Sequence, residues 1–319
     1  MDAAEIATRF DLGSTPRLSD GPVARGMQGQ VWRLDTADGR WAVKVRFRPL
    51  GEADVRLSTA RDTAAALQEA CAAAGVPTPR VRRTIDGHLL ADTTGGQVSV
   101  QEWVDVLSPD SLLDPGLVGE TLAMMHGVQV PATDDPDSWH HEPVGAHAWD
   151  DLLRLLWTAR APFADRLAGL RDELVALDSW VEPPAATQTC HRDLWADNLL
   201  PTPGGGVCVL DFDESGPADP SRELACVLFE FGRTDRGRAR ELMAAYRDAG
   251  GQGVVSRRSD FSMLVAQLGH ITQLAAQDWM TSTPRLLQRD DAADLVVEVL
   301  NDPHARGRLD TRLGWVQPT

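Results

Sequence analysis

No stretch of this 319-residue sequence approaches the ~20 consecutive apolar residues of a membrane-spanning helix. No run of Lys and Arg offers a footprint for nucleic-acid phosphates or an anionic membrane surface. Basic residues are outnumbered throughout, 31 against 47 Asp and Glu, for a formal net charge of −16. A field of that sign keeps the chain soluble and attracts cations. Cysteine is also sparse: Cys71, Cys190, Cys208 and Cys226 form no CxxC pair, and a chain of this length can build a core without disulfide staples. The opening MDAAEIATRFDLG has no basic segment followed by an apolar one. The expectation is a reduced, cytoplasmic, enzyme-sized protein with no nucleic-acid or membrane partner.

What is present changes character along the chain. The first hundred residues read mostly as β, with two alternating runs around Ala37-Asp38-Gly39 in ARGMQGQVWRLDTADGRWAVKVRF predicting a hairpin. A helix is predicted from about Asp54 to Ala74, stopped by Gly75 and Pro77, with strands at His88–Leu90 and Gln97–Val104. After a polar connector, helical periodicity takes over in segments 116–127, 147–179, 222–249, 259–282 and 284–300. One β interlude, Cys190 to Asp213, interrupts it. The expectation is an α+β, bilobal chain: a small β-rich N-lobe (1–104) and a larger, mainly α-helical C-lobe (105–319).

The chemistry is concentrated in TCHRDLWADNLLPTPGGGVCVLDFDESGPADPSRELA. It contains His191-x-Asp193-x-x-x-x-Asn198, a glycine turn, an apolar strand and then Asp211-Phe212-Asp213. Phosphoryl transfer to a hydroxyl needs a carboxylate beside the acceptor oxygen and oxygen ligands for the metal that holds the phosphates. Asp193 suits the first role, and Asn198 and Asp211 the second. Asp211 follows Asp193 by 18 positions across a strand, so a hairpin can bring both carboxylates to one place.

This segment resembles the catalytic and metal-binding motifs of aminoglycoside phosphotransferases and their choline-kinase-like relatives, which share the protein-kinase fold and phosphorylate small molecules. GETLAMMH (119–126), GVPTPR (75–80) and AAYRDAGG (244–251) resemble further parts of that family. The resemblance implies an ATP- and Mg²⁺-dependent O-kinase with Asp193 as base and Asn198 and Asp211 as metal ligands. It makes His191 structural and Asp219 a carboxylate bracing the catalytic loop. It makes Lys44, in WAVKV, the nucleotide lysine, a role in keeping with the cost of burying an unpaired ammonium. Gly26 and Gly29 would let backbone N–H groups approach phosphates. QEWV (101–104) resembles the hinge, with adenine meeting backbone atoms of Glu102 and Val104.

One expected part is displaced. The family pairs its strand lysine with a helix glutamate, and here the candidates are Asp62 or Glu69, with no choice between them. Asp213 is either a group near the metal or an exposed one, and Trp195 either walls the acceptor pocket or packs. Only 8 positions separate Asp211 from Asp219, leaving no peptide-docking activation segment, so a small-molecule acceptor is expected. An aminoglycoside-like antibiotic, and with it antibiotic resistance, is the first expectation. A metabolic kinase acting on an amino sugar, choline, ethanolamine or homoserine-like acceptor is the second, and a non-catalytic nucleotide-binding module the third. Asp134, Asp135, Asp137, Glu142, Glu230, Asp235 and Asp278 are the acidic residues available for a cationic acceptor.

Overall fold

In this computed structural model the described residues are 1–26, 29–47, 55–132, 137–184, 187–233, 235–281 and 287–317, with the backbone alone described at 55–58. The elements begin with α1 (Ala3–Phe10), β1 (Arg17–Leu18), β2 (Ala24–Arg25), β3 (Gly29–Thr36) and β4 (Gly39–Arg46). Then come α2 (Val55–Ala73), β5 (Val81–Arg82), β6 (Ala91–Thr93), β7 (Gly96–Glu102) and α3 (Pro115–Gly127). Next are α4 (Ser138–His141), α5 (Ala146–Thr158), α6 (Ala164–Leu177), β8 (Gln188–Cys190), β9 (Leu199–Pro201), β10 (Val207–Val209) and β11 (Gly216–Ala218). Last are α7 (Pro220–Gly232), α8 (Arg236–Asp248), α9 (Ser262–Met280), α10 (Arg289–Asn301) and α11 (Arg306–Val316).

Two compact units result: residues 1–110 with 193–216, and residues 111–192 with 217–319. The catalytic-loop segment 193–216 therefore groups with the N-terminal residues and not with the rest of 105–319. Two backbone bonds help account for this, Val209 N–H to the Pro77 carbonyl and Leu107 N–H to the Pro201 carbonyl, both 2.8 Å.

The first unit is built on an antiparallel sheet ordered β1-β3-β4-β7-β5, with β2 added on β3 and β6 on β7. The predicted hairpin is present, with Thr36 opposite Gly39. Gly29 faces Arg46 in register, and a Cβ there would lie 2.3 Å from the Val45 carbonyl oxygen. That close strand approach is a structural demand for glycine. The last two strands lie at Ala91–Thr93 and Gly96–Glu102, the first of them just after the predicted segment 88–90. α1, which the β reading of this region passes over, is capped by Asp2 and buries Ile6 and Phe10 against Val43, Val98 and Val100. A separate hairpin pairs β9 with β10.

The second unit is helical around a core that includes Trp149, Leu153, Phe163, Leu167, Trp279 and Val296. Two long helical segments of the sequence are each broken into a pair. The 147–179 segment breaks at Arg160, left-handed at φ 56° and two residues before Pro162, whose ring disfavours helix at the preceding residue. The 222–249 segment breaks at Arg233, at φ 46°. α3 lies so close to α8 that a Cβ on Gly119 would meet the Leu242 carbonyl oxygen at 2.4 Å and the Tyr246 nitrogen at 2.9 Å. The clash is with backbone, which cannot swing away. Gly119→Ala is expected to destabilise the protein by about 1–3 kcal/mol in chemical denaturation. An unchanged midpoint would mean the two helices can separate freely.

Candidate active site

Lys44 lies on β4, an inner strand flanked by β3 and β7, with Val31 and Ser99 as its Cα partners. Strand alternation puts Arg46 on the same face. The β9–β10 hairpin sets Val209 opposite Leu199, and one step further Leu210 N–H bonds the Asn198 carbonyl at 2.8 Å. Asn198 and Asp211 thereby emerge from the same end of one hairpin. Asp211 takes a left-handed conformation, φ 53° and ψ 69°, which Asp tolerates better than most residues.

The side chains of this unit converge as a charged cluster. The Lys44 ammonium donates to Asp211 Oδ1 at 2.7 Å and to Asp213 Oδ2 at 2.9 Å, and Arg46 Nη2 donates to the same Asp213 oxygen at 2.9 Å. Burial alone lowers the Lys44 pKa, but the Asp213 and Asp211 carboxylates outweigh it and hold the ammonium above its ordinary range. Burial likewise raises Asp213, and Lys44 and Arg46 reverse that, leaving it ionised. Neither carboxylate expected on α2 reaches the lysine. Glu69 pairs with Arg83 at 2.8 Å, and Asp62 is exposed. α2 instead brings a cation, Arg61, whose pKa falls to about 10 through burial and the neighbouring Arg46, against the pull of Asp213. Asp213 takes the place of the missing helix carboxylate as partner of Lys44, so it is neither exposed nor idle.

Asn198 Nδ2 donates to Asp193 Oδ2 at 2.7 Å and to the Asp193 carbonyl at 2.8 Å. The Trp195 indole also hydrogen-bonds the Asp193 carboxylate. Burial pushes the Asp193 pKa up to about 8, and the like charges of Glu214 and Asp211 add to it. With its amide nitrogen spent on Asp193, Asn198 has its oxygen left to offer. The Asn198 oxygen and the Asp211 carboxylate form an all-oxygen donor set suited to Mg²⁺, and a cation beside Asp193, Asp211 and Glu214 relieves their mutual repulsion. The residues fit the metal.

Other predicted contacts divide. The Gly26 N–H is taken by the Gly29 carbonyl at 3.0 Å, and Met27 and Gln28, in the same loop, lie outside the described residues. At the expected hinge, the Glu102 N–H goes to the Arg80 carbonyl and the Trp103 N–H to the Arg40 carbonyl. Among the described residues the Val104 N–H has no backbone partner.

In the second unit, Glu223 on α7 does the bracing expected of Asp219. Its carboxylate accepts the Arg192 backbone N–H and meets His126 Nε2 at 2.8 Å, while His126 Nδ1 meets the Tyr246 hydroxyl at 2.7 Å. Asp219 instead caps α7 through the Ser221 N–H. His126, Cys190 and Glu223 hold ligand atoms within 4.8 Å of one another, but both His126 nitrogens are already hydrogen-bonded, which leaves no lone pair for a metal. His191 is fully buried. Of the acidic residues considered for an acceptor, Asp137 pairs with Arg192 at 2.6 Å, Glu230 with Arg233, Asp235 caps α8 and buried Asp278 accepts the Leu287 N–H. Glu142 offers its carbonyl to His270, and Asp134 and Asp135 lie outside the described residues.

Sequence reasoning missed Arg46, Arg61, Glu214 and Glu223. Two of them had a signal, Arg46 by its i+2 position from Lys44 and Glu223 by its place one helical turn after Asp219.

A sequence model described as the phosphotransferase enzyme family matches residues 21–258. A crystal structure of spectinomycin phosphotransferase with ADP and spectinomycin is similar at TM-score 0.65 and 13% identity, covering 98% of this chain and 97% of that one. An aminoglycoside phosphotransferase from Alicyclobacillus acidocaldarius aligns at TM-score 0.62 and 18% identity, over 98% of this chain and 94% of that one. A choline kinase from Streptococcus pneumoniae aligns at TM-score 0.57 and 14% identity, over 97% of each chain. These likenesses establish a protein-kinase-like fold, sheet-rich in its N-terminal part and helical in its C-terminal part. No curated protein matches the chain in sequence.

The raised Asp193 carboxyl sets a pH dependence. Its folded-state pKa, about 8, lies above the ordinary 3.8, so the linked stability is fully present below the lower value and is lost as pH rises to the higher one. Asn at this position cannot ionise. The Tm of Asp193→Asn minus that of the wild type should widen from pH 5 to pH about 8 and level off above. A difference constant across that range would contradict a raised carboxyl.

Proposed function

The chain belongs to the phosphotransferase enzyme family, and we propose that it transfers the γ-phosphoryl group of ATP to a hydroxyl of a small cationic acceptor, an aminoglycoside-like antibiotic being the favoured class. The observation that carries this reading is the convergence of Asp193 with Asn198 at 2.7 Å and of Asp211 with Lys44 at 2.7 Å, all on one unit.

Asp193 acts as the base. Its carboxylate hydrogen-bonds the acceptor hydroxyl, fixes the oxygen in line with the γ-phosphorus and receives the hydroxyl proton. The new oxygen–phosphorus bond forms as the bond to the bridging oxygen breaks, and ADP leaves with that electron pair. Burial, Glu214 and Asp211 raise the proton affinity of Asp193; Mg²⁺ held by Asp211 and the Asn198 oxygen would offset those charges and favour the carboxylate that accepts the proton, and positioned bases of this kind contribute about 10²–10⁴-fold. Asn198 holds the carboxylate in place through its amide nitrogen. Mg²⁺, when bound by Asp211 and the Asn198 oxygen, supplies charge neutralisation on the phosphate oxygens. Lys44 and Arg46 face the same anions, and Asp213 keeps both ammonium and guanidinium in position until a triphosphate competes for them. The Val104 N–H is a donor for the adenine edge. Trp195, bonded to Asp193, would wall the acceptor side of the site.

The negative field of the protein supports a cationic acceptor. A metabolic acceptor such as an amino sugar or choline would use the same catalytic residues. The similarity to a choline kinase keeps that reading alongside the first. A panel of aminoglycosides, choline, ethanolamine, amino sugars and homoserine in an ADP-release assay separates them. Turnover of the antibiotics is expected. Turnover of a central metabolite with antibiotics inert would replace the acceptor, and release of ADP with none would remove the kinase reading. Asp193→Asn should lower kcat by about 10²–10⁴-fold with little change in nucleotide affinity, while Asp211→Ala should weaken Mg-nucleotide binding as well.

A further inference from the structure

Arg192 stands at φ 66°, in the left-handed region that an arginine seldom occupies and that Gly or Asn adopts more readily. It directly precedes Asp193, so its dihedral angles set the direction in which the chain runs on to the base. Such a conformation persists only where the surroundings over-determine it. Three helices of the second unit do so. Glu223 on α7 accepts the Arg192 N–H, Gln267 on α9 donates to its carbonyl, and Asp137, the N-cap of α4, accepts from Nη1 at 2.6 Å.

The first two tethers hold the main chain and would serve any residue at this position. The third is particular to an arginine. The Arg192 side chain is 7% exposed and that of Asp137 46%, so a carboxylate at the surface meets a buried cation. Burial raises the Asp137 pKa, but His140 and Arg192 outweigh it and hold the carboxyl below its ordinary range. Its two oxygens divide the work. Oδ1 accepts the His140 backbone N–H at 3.2 Å and meets His140 Nδ1 at 2.7 Å, which leaves Oδ2 to Arg192. α4 is itself pinned. Trp139 stacks on His270 of α9 with 5.3 Å between ring centroids, His270 Nε2 meets the Glu142 carbonyl at 3.0 Å, and His141 Nε2 meets the Pro217 carbonyl at 3.1 Å. The carboxylate that grips Arg192 is therefore mounted on an anchored turn.

We propose that Asp137 is a positioning residue for the transfer reaction, clamping the Arg192 side chain from α4 so that the left-handed turn before Asp193, and with it the aim of the base, is kept. The inference rests on the reading of Asp193 as the base.

Asp137→Asn separates the two oxygens. Its amide oxygen can keep both His140 contacts, while its NH2, a donor, replaces the oxygen that faces Arg192 Nη1. In the full chain, with the panel compound that is turned over fastest, kcat should fall by about 10–10²-fold and the KM for ATP should stay unchanged, since misplacing a reacting group by about an ångström costs that much. Arg192→Ala and Arg192→Asn both remove the guanidinium, but only Asn tolerates the left-handed turn, so Arg192→Asn should retain about tenfold more kcat than Arg192→Ala. Adding Arg192→Asn to Asp137→Asn should raise kcat, because it removes the group that needs the clamp. The proposal is overturned if Asp137→Asn keeps the wild-type kcat whatever happens to its Tm, if Arg192→Ala and Arg192→Asn turn over equally, or if the losses in the double variant multiply. Should Asp137→Asn not fold, the two Arg192 variants decide. Amide hydrogen exchange over residues 190–198 is the readout independent of turnover: it should quicken in Asp137→Asn and Arg192→Ala, and less in Arg192→Asn. If the wild type turns over no acceptor, the kinase reading has failed, and exchange alone decides whether Asp137 holds the loop. Exchange unchanged in Asp137→Asn would then overturn the clamp as well.

Discussion

One lysine ammonium, shared by two carboxylates at 2.7 and 2.9 Å, ties the central strand of the N-terminal sheet to a hairpin more than a hundred and sixty residues away in sequence. Lys44 and Asp213, the less exposed members, would be costly at their burial without partners. Lys44 needs Asp211 and Asp213, and Asp213 needs Lys44 and Arg46. Because the cluster is satisfied only as a set, it registers the catalytic-loop segment on the sheet. The segment's grouping with residues 1–110 is the larger consequence of that registration, reinforced by the two backbone bonds from Pro77 and Pro201.

The arrangement also accounts for a departure from the family pattern. A helix carboxylate normally partners the strand lysine. Here α2 offers Arg61, and Glu69 is held by Arg83. The lysine is compensated from the hairpin side instead, by the residue two positions after Asp211. Burial, with the like charges of Glu214 and Asp211, also raises the proton affinity of Asp193 above the usual carboxylate range. Negative charge that Lys44 leaves uncompensated is charge a divalent cation can satisfy.

The helical unit solves a different problem, that of fixing the residue just before Asp193. Arg192 is held at its N–H by Glu223 and at its guanidinium by Asp137, and Glu223 is held in turn by the His126–Tyr246 pair. Gly119 lets α3 and α8 approach closely enough for that pair to form. In this unit the charged groups that pair with one another, Arg192 with Asp137 and Glu223 with His126, brace the fold.

The sequence alone determined which residues carry the chemistry. The HxDxxxxN run, the strand of Val207–Val209 and the DFD that follows are local signals, since spacing along one hairpin decides what faces what at its open end. The β hairpin at Ala37-Asp38 and the stop of α2 at Gly75 were legible for the same reason. Partner choice was not. Whether Lys44 would meet Asp62, Glu69 or Asp213, whether Asp219 or Glu223 would brace the loop, and whether the acidic residues of the helical part would gather or disperse all depend on contacts between segments remote in sequence. Propensity and periodicity carry no term for such contacts, because the free energy of a buried charge is set by whatever the rest of the chain brings within a few ångströms of it.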